Sequence, residues 1–337
     1  MSANCELCKL ELEDIVAKSE SLPGTPCDDV ESRKKMTDLK QVTLQAIEAL
    51  SNLETPIQLC SHGEAPKFQQ DNPYITHGYR SFLPAKQCIK SACIKSNELL
   101  NIWTHAIGFG VIFILFIYDL TVLLPHLHPG KMDYAIFSLF YMTSQVCLAF
   151  STLYHIFNCH ISEQVARWWY ALDITGIVLG ILGCYIIGLY YGFYCNFNVQ
   201  IFYVSIVLFM ICLSAILMIC GNYFSDRWRN IRIMHLSTIP LSGLVPTVHW
   251  YFTSPQEEVK LFFPDVFLLY GILAVAFLVY LLKYPERLLP GWFNYIGQSH
   301  NWWHVLIVAI FIHWRRFAIQ VMQYRKNSDC ADLRISS

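Results

Sequence analysis

His300 and His304 stand one helical turn apart, so both imidazoles can reach one ion. Both fall in an apolar stretch, as does His155 at the end of Ser151-Thr152-Leu153-Tyr154-His155, and Asp173 opens another such stretch. Ionisable side chains inside apolar spans are costly, so each is a functional hypothesis by default. A lone intramembrane histidine more often packs or caps than ligates. The pair at i, i+4 is a stronger signal, and His155 and Asp173 at the same depth favour a metal. Three neutral imidazoles with an open fourth position are the donor set of catalytic zinc, which polarises a carbonyl and activates water. In that chemistry Asp173 serves as base or water-positioner, and Ser151 helps orient a carbonyl. His235 is alone, His249 and His313 lack mutual spacing, and His126 and His128 sit in a proline-bounded loop. All of these read as structural or solvated.

The elements that must bring the metal candidates together are membrane helices. The 337 residues are 55% hydrophobic and only 15% charged, against about a quarter charged in soluble domains. Apolar runs place seven spans at about 101–124, 134–157, 169–191, 199–220, 233–252, 266–282 and 300–323, each near the 17–25 residues that cross a bilayer. Pro240 and Pro246 predict a kink in the fifth. Arg315 and Arg316 interrupt the seventh about 22 Å from His300 and are expected to snorkel to the far interface. With seven spans, the start of the first, the end of the second and the starts of the third and seventh share one face. His155, Asp173, His300 and His304 then lie at one depth. Arg167, Arg227, Arg229, Arg232, Lys283 and Arg287 gather in the loops on that side, and only Lys131 and Lys260 in the opposite loops. The basic residues therefore place the N-terminus and the histidines on the cytoplasmic side, although Arg315, Arg316, Arg325 and Lys326 count the other way. In that topology Cys195 and Cys330 face an oxidising lumen and are expected to form a disulfide.

Residues 1–79 form a polar tail, with 13 acidic residues against 7 Lys and Arg, and no apolar leader at its start. Cys5 and Cys8 form a CxxC without a second pair at matching spacing, which reads as plain thiols. Within 36–53, Leu39, Val42, Ala46, Ala49 and Leu53 make a narrow helical seam, either a marginal helix or a docking helix for a soluble partner. Over 80–98, Ala85, Cys88, Ile89, Ala92 and Cys93 line one face and Lys86, Lys90 and Lys95 lie off it. This predicts an amphipathic helix on anionic headgroups, with Cys88 and Cys93 as candidates for palmitoylation. Glu98, Asn101 and His105 fall at i, i+3 and i+7 and read as a structural clamp tying that helix to the first span. Residues 99–324 form the bundle and 325–337 a luminal tail. The near-zero net charge of -1 discourages a nucleic-acid partner.

Asn97-Glu98-Leu99-Leu100-Asn101-Ile102-Trp103-Thr104-His105, then Ser151 and His155, Asp173, and His300 with His304, together resemble the progestin and adipoQ receptor family. Asp71 to Arg80, Cys88 to Ser91, Gly180 to Cys184 and Val321 to Arg325 carry the likeness further, toward the branch of the family's third member. The resemblance covers about residues 71–326. It implies an all-α, seven-transmembrane bundle of the adiponectin-receptor type with a cytoplasmic N-terminus and zinc on His155, His300 and His304. It implies lipid-amide hydrolysis, as on ceramide, for some relatives. For this branch it implies a Golgi protein that traps a Raf-type kinase. Three functions stay open: a Golgi scaffold sequestering a Raf-like kinase, a zinc-dependent hydrolase of a lipid amide, and a ligand receptor with structural zinc. Membrane lipids, and a lipid amide or fatty acid within the bundle, are the expected small-molecule partners.

Overall fold

The computed structural model describes residues 56–219, 223–327 and 330. The expected helix at 36–53 and the Cys5–Cys8 pair lie outside the described residues. A two-stranded antiparallel hairpin, β1 (Cys60–Ser61) and β2 (His77–Tyr79), precedes a short helix α1 (Ala85–Lys90). Then follow α2 (Leu99–Leu127), α3 (Lys131–Phe157), α4 (Glu163–Gly192), α5 (Phe197–Ile219), α6 (Arg229–Ser242), α7 (Leu244–Thr253), α8 (Gln256–Leu282) and α9 (Ser299–Asn327).

Six of the described helices, α2, α3, α4, α5, α8 and α9, are long and apolar enough to cross a membrane. Large apolar side chains such as Ile114, Phe209 and Phe267 stay exposed along them. In water that would be a liability; in lipid it is the solvent-facing surface. The fifth expected span is present as two shorter helices, α6 and α7, meeting at Gly243. Pro240 and Pro246 remove two amides from the helical ladder. At the break Gly243 N donates to the Pro240 carbonyl at 3.1 Å, and the Ile239 carbonyl it would otherwise bond accepts from Tyr185 Oη at 2.6 Å and Ser242 Oγ at 2.7 Å, as a break within a membrane bundle requires. A Cβ on Gly243 would lie 2.8 Å from Tyr270 Oη and 2.9 Å from Tyr185 Oη, so any side chain there would have to displace the two hydroxyls.

Helices α3 and α4 approach closely through small residues. A Cβ at Gly176 would fall 3.0 Å from Cys147 Cα, and one at Gly183 would run into the Thr143 side chain. Around this contact a core forms from Phe137, Phe140, Leu148, Ile187, Phe311 and Trp314.

The structure departs from two expectations. The helix expected over 80–98 is only α1 followed by a 3-10 turn, Ser91–Cys93. Cys88 and Ala92 are buried while Ile89 and Cys93 are exposed. The Cys88 thiol lies 3.6 Å from Cys159 Sγ, facing protein rather than an acyl donor. The reason is that residues 56–98 pack as a cap on the His155 end of α3. Leu83 N donates to the Cys159 carbonyl at 2.9 Å, Ile161 N to the Leu83 carbonyl at 2.9 Å, and Gln69 Nε2 to the Asn158 carbonyl at 2.7 Å. Second, Arg315 does not snorkel. Its Nε donates to Asp119 Oδ2 at 2.8 Å, and Tyr141 donates to the same fully buried carboxylate. Asp119 opens a π-helical turn, Asp119–Leu123, inside α2. Arg316 is exposed and pairs with Asp265 at 2.8 Å.

At the end of the bundle opposite His155, the buried Arg325 and Glu258 form an ion pair at 2.6 Å. Arg325 Nε also donates to the Tyr191 carbonyl at 2.9 Å, and Trp250 Nε1 to Glu258 Oε1 at 2.8 Å. Cys195 and Cys330 are joined in a disulfide, as expected, with Cα atoms 5.4 Å apart.

Candidate metal centre

His155 lies in the last turn of α3, and His300 and His304 in the first turns of α9. The chain brings them together: one nitrogen from each lies within 4.8 Å of the others. His155 Nε2 and His300 Nε2 are 3.2 Å apart. Two imidazole nitrogens bound tetrahedrally to zinc at 2.0–2.1 Å stand about 3.3 Å apart, so this spacing suits one ion.

The neighbouring side chains set which nitrogen is presented. Glu98 Oε2 accepts from His155 Nδ1 at 2.7 Å, and the Asn101 carbonyl accepts from His304 Nδ1 at 3.0 Å. With both Nδ1 atoms protonated, the Nε2 lone pairs of His155 and His304 are free to ligate. Such outer hydrogen bonds fix tautomer and ring orientation in metal sites. Asn101 Nδ2 donates to Glu98 Oε2 at 2.7 Å, and Asn301 Nδ2 to Asn101 Oδ1 at 2.6 Å. His105 stacks on His304 with ring centroids 3.7 Å apart and planes 9° from parallel. It is buried, with both ring nitrogens unpartnered among the described residues. Burial alone would raise the Glu98 carboxyl, but His155, Asn101 and Arg80 around it hold it down to about 2.

Glu98, Asn101 and His105 are thus joined mainly to the histidines and to α9. The first span is tied to the preceding turn by another bond, Trp103 Nε1 to the Ala92 carbonyl at 3.0 Å. Arg80, which the spacing arguments do not single out, is fully buried. It donates to the His155 carbonyl and to Ser91 Oγ, each at 2.6 Å, and so fixes the end of α3. Its only sequence signal is its place in the Asp71–Arg80 stretch. Among the weaker histidines, His235 bonds Ser214 at 2.9 Å and Tyr223 at 2.7 Å, His249 bonds Tyr203 at 2.9 Å, and His313 reaches the Asp265 carbonyl at 2.8 Å. Each is accounted for by packing.

Beside the triad, Asp173 of α4 interacts with the Ser151 hydroxyl of α3. Both line a cavity of about 670 Å³ that also takes in His155, His300 and His304. Its wall continues over Leu236, Leu273, Phe277 and Ile307 to Trp250 and Glu258 near the opposite end.

Fold and site define a class: a helical integral membrane protein with a three-histidine site able to hold a metal at one end of an internal cavity. A model of the haemolysin-III related family matches residues 93–314. Human progestin and adipoQ receptor family member 3 is 42% identical over 279 residues, covering 82% of this chain and 90% of the relative. The adiponectin receptor protein of Drosophila melanogaster is 31% identical over 286 residues, covering 82% of this chain and 63% of its own. Heptahelical transmembrane protein 1 of Arabidopsis thaliana is 27% identical over 286 residues, with 81% and 84% covered. The chain belongs to the progestin and adipoQ receptor family of haemolysin-III related proteins.

Proposed function

We propose that this chain is a zinc-holding, seven-span protein of the Golgi membrane that sequesters a Raf-type kinase at its cytoplasmic face and dampens that kinase's signalling. The observation that carries the reading is the 42% identity to the family's third member over 90% of that relative, joined to the resemblance of this branch to kinase-trapping proteins. Taken together, α6 and α7 have the length of one span, which supports seven crossings. The cations Arg227, Arg229, Arg232, Lys283 and Arg287 near the triad end support a cytoplasmic N-terminus. A disulfide at the opposite end is in keeping with an oxidising lumen there. Three imidazoles with an inward-facing cavity suit zinc. His155, His300 and His304 would hold the ion, Glu98 and Asn101 would orient the first and last of them, and His105 would buttress His304.

A second reading, a zinc-dependent lipid amide hydrolase, is favoured by one specific observation. The cavity is large enough for an acyl chain and places Asp173 and Ser151 beside the triad. Zinc bound there would polarise the amide carbonyl. The Asp173 carboxylate would take the proton from the attacking water and pass it to the amide nitrogen as the C–N bond breaks, Ser151 Oγ would orient the carbonyl, and the apolar wall would exclude bulk water.

Deletion of residues 1–55, which leaves the packed cap intact, and Asp173→Asn separate the two. The scaffold reading expects the deletion to lose co-purification of a Raf-type kinase and Asp173→Asn to keep it. If the deletion binds kinase as well as the intact chain does, the scaffold reading fails. If Asp173→Asn leaves lipid-amide turnover unchanged, the hydrolase reading fails.

A further inference from the structure

The cavity wall at the triad end carries three cations. Arg229 and Arg232 come from the first turn of α6, and Lys283 from the residue that ends α8. Their partners do not balance their charge. Arg232 is only 7% exposed. It donates to the carbonyls of Tyr223 at 2.7 Å and Ser225 at 3.3 Å and lies 5.4 Å from the Tyr170 ring centre, all neutral groups. Arg229 and Lys283 have no side-chain hydrogen bond or ion pair among the described residues. Burial pulls the Lys283 ammonium below its ordinary value; Asp71 opposes this and Arg229 adds to it.

The carboxylates nearby are mostly committed elsewhere. Glu98 serves His155 and Asn101. Asp173 is engaged by Ser151. Glu286 accepts from Ser299 N at 2.8 Å and from Asn72 Nδ2 at 2.9 Å. Asp71, and more weakly the committed Glu286, act on Lys283. One carboxylate does not balance three cations, and burying uncompensated charge is unfavourable, so the arrangement calls for a further anion. Lys283 is also near enough to His300 to act on it electrostatically. An anion held here therefore lies beside the triad, at the head of an apolar cavity.

We propose that this mouth binds the phosphate headgroup of an amide-linked lipid, whose chain occupies the cavity and whose amide faces the triad. A phosphate suits three cations better than a fatty carboxylate does, because it brings more charge and three acceptor oxygens. A neutral headgroup would leave the three cations with Asp71 as their main counter-charge. The inference rests on the reading that a lipid enters the cavity.

The test is equilibrium binding to the full-length protein in nanodiscs, with a short-chain N-acylsphingosine, its phosphate monoester and inorganic phosphate as probes. The phosphate monoester is expected to bind about tenfold tighter than the neutral lipid, and far tighter than inorganic phosphate. Arg229→Gln with Lys283→Gln should remove that preference while keeping neutral-lipid affinity and metal content. Arg229→Lys with Lys283→Arg should restore most of it. Equal affinity for the two lipids in the unmodified protein overturns the headgroup assignment and leaves the lipid reading standing. Inorganic phosphate binding as tightly as the phosphorylated lipid overturns a lipid-borne source. Failure of both lipids to bind overturns the lipid reading, and this inference with it.

Discussion

Glu98 is the residue whose replacement tests the metal centre most selectively, because it touches a ligand and not the ion. Its Oε2 accepts from His155 Nδ1 at 2.7 Å, against an imidazole only 3% exposed. Glu98→Gln keeps the shape and an acceptor oxygen but removes the charge that raises the basicity of the imidazole. Loss of such an outer partner costs about 10- to 100-fold in metal affinity, or about 1.4 to 2.8 kcal/mol. The Gln variant belongs at the low end of that range. Glu98→Ala belongs at the high end, since it leaves a buried N–H without a partner. Zinc affinity would be measured by competition with a chromophoric chelator on detergent-purified protein, with thermal melting as a check on folding. Both variants binding within about twofold of the unmodified chain would refute the role given to Glu98.

Arg315→Gln should cost about 3–5 kcal/mol, because it leaves the Asp119 carboxylate buried and uncompensated; adding Asp119→Asn should recover much of the loss in melting temperature, and an unchanged melt in the single variant would contradict the ion pair. Gly183→Val should cost about 1–3 kcal/mol through overpacking against Thr143, and Thr143→Ala should relieve it; additive losses in the double variant would rule out the close approach. Non-reducing peptide mapping should recover Cys195 and Cys330 as one linked species, and finding both alkylated would refute the disulfide.

What was legible in the sequence follows from how the signals arise. A span such as α5 has no charged residue, so its limits from hydropathy, 199–220, fall close to the Phe197–Ile219 observed. For α4 the same signal reads 169–191 and misses the first turn and a half, because the helix from Glu163 runs on past the apolar stretch. The triad was readable because alternation of the spans puts the end of the second and the start of the seventh on one side. Which nitrogen each histidine presents was not, since that depends on Glu98 and the Asn101 carbonyl meeting rings far away in the chain. Asp119 is masked by the apolar run around it, and without that partner Arg315 reads as an interfacial residue. The apolar stripe of residues 84–98 was real at Cys88 and Ala92. Periodicity alone could not show that the segment bends after Lys90 to pack over the end of α3. The cavity was invisible for the same reason: it is lined by residues of separate helices whose side chains are individually ordinary.

The most direct test of the account is the metal content of the purified chain, measured by inductively coupled plasma mass spectrometry beside the His300→Ala, His304→Ala double variant. The account predicts stoichiometric zinc in the unmodified protein and its loss in the variant, with a lower melting temperature. Zinc retained in full by the double variant, or no stoichiometric metal in the unmodified chain, would contradict it.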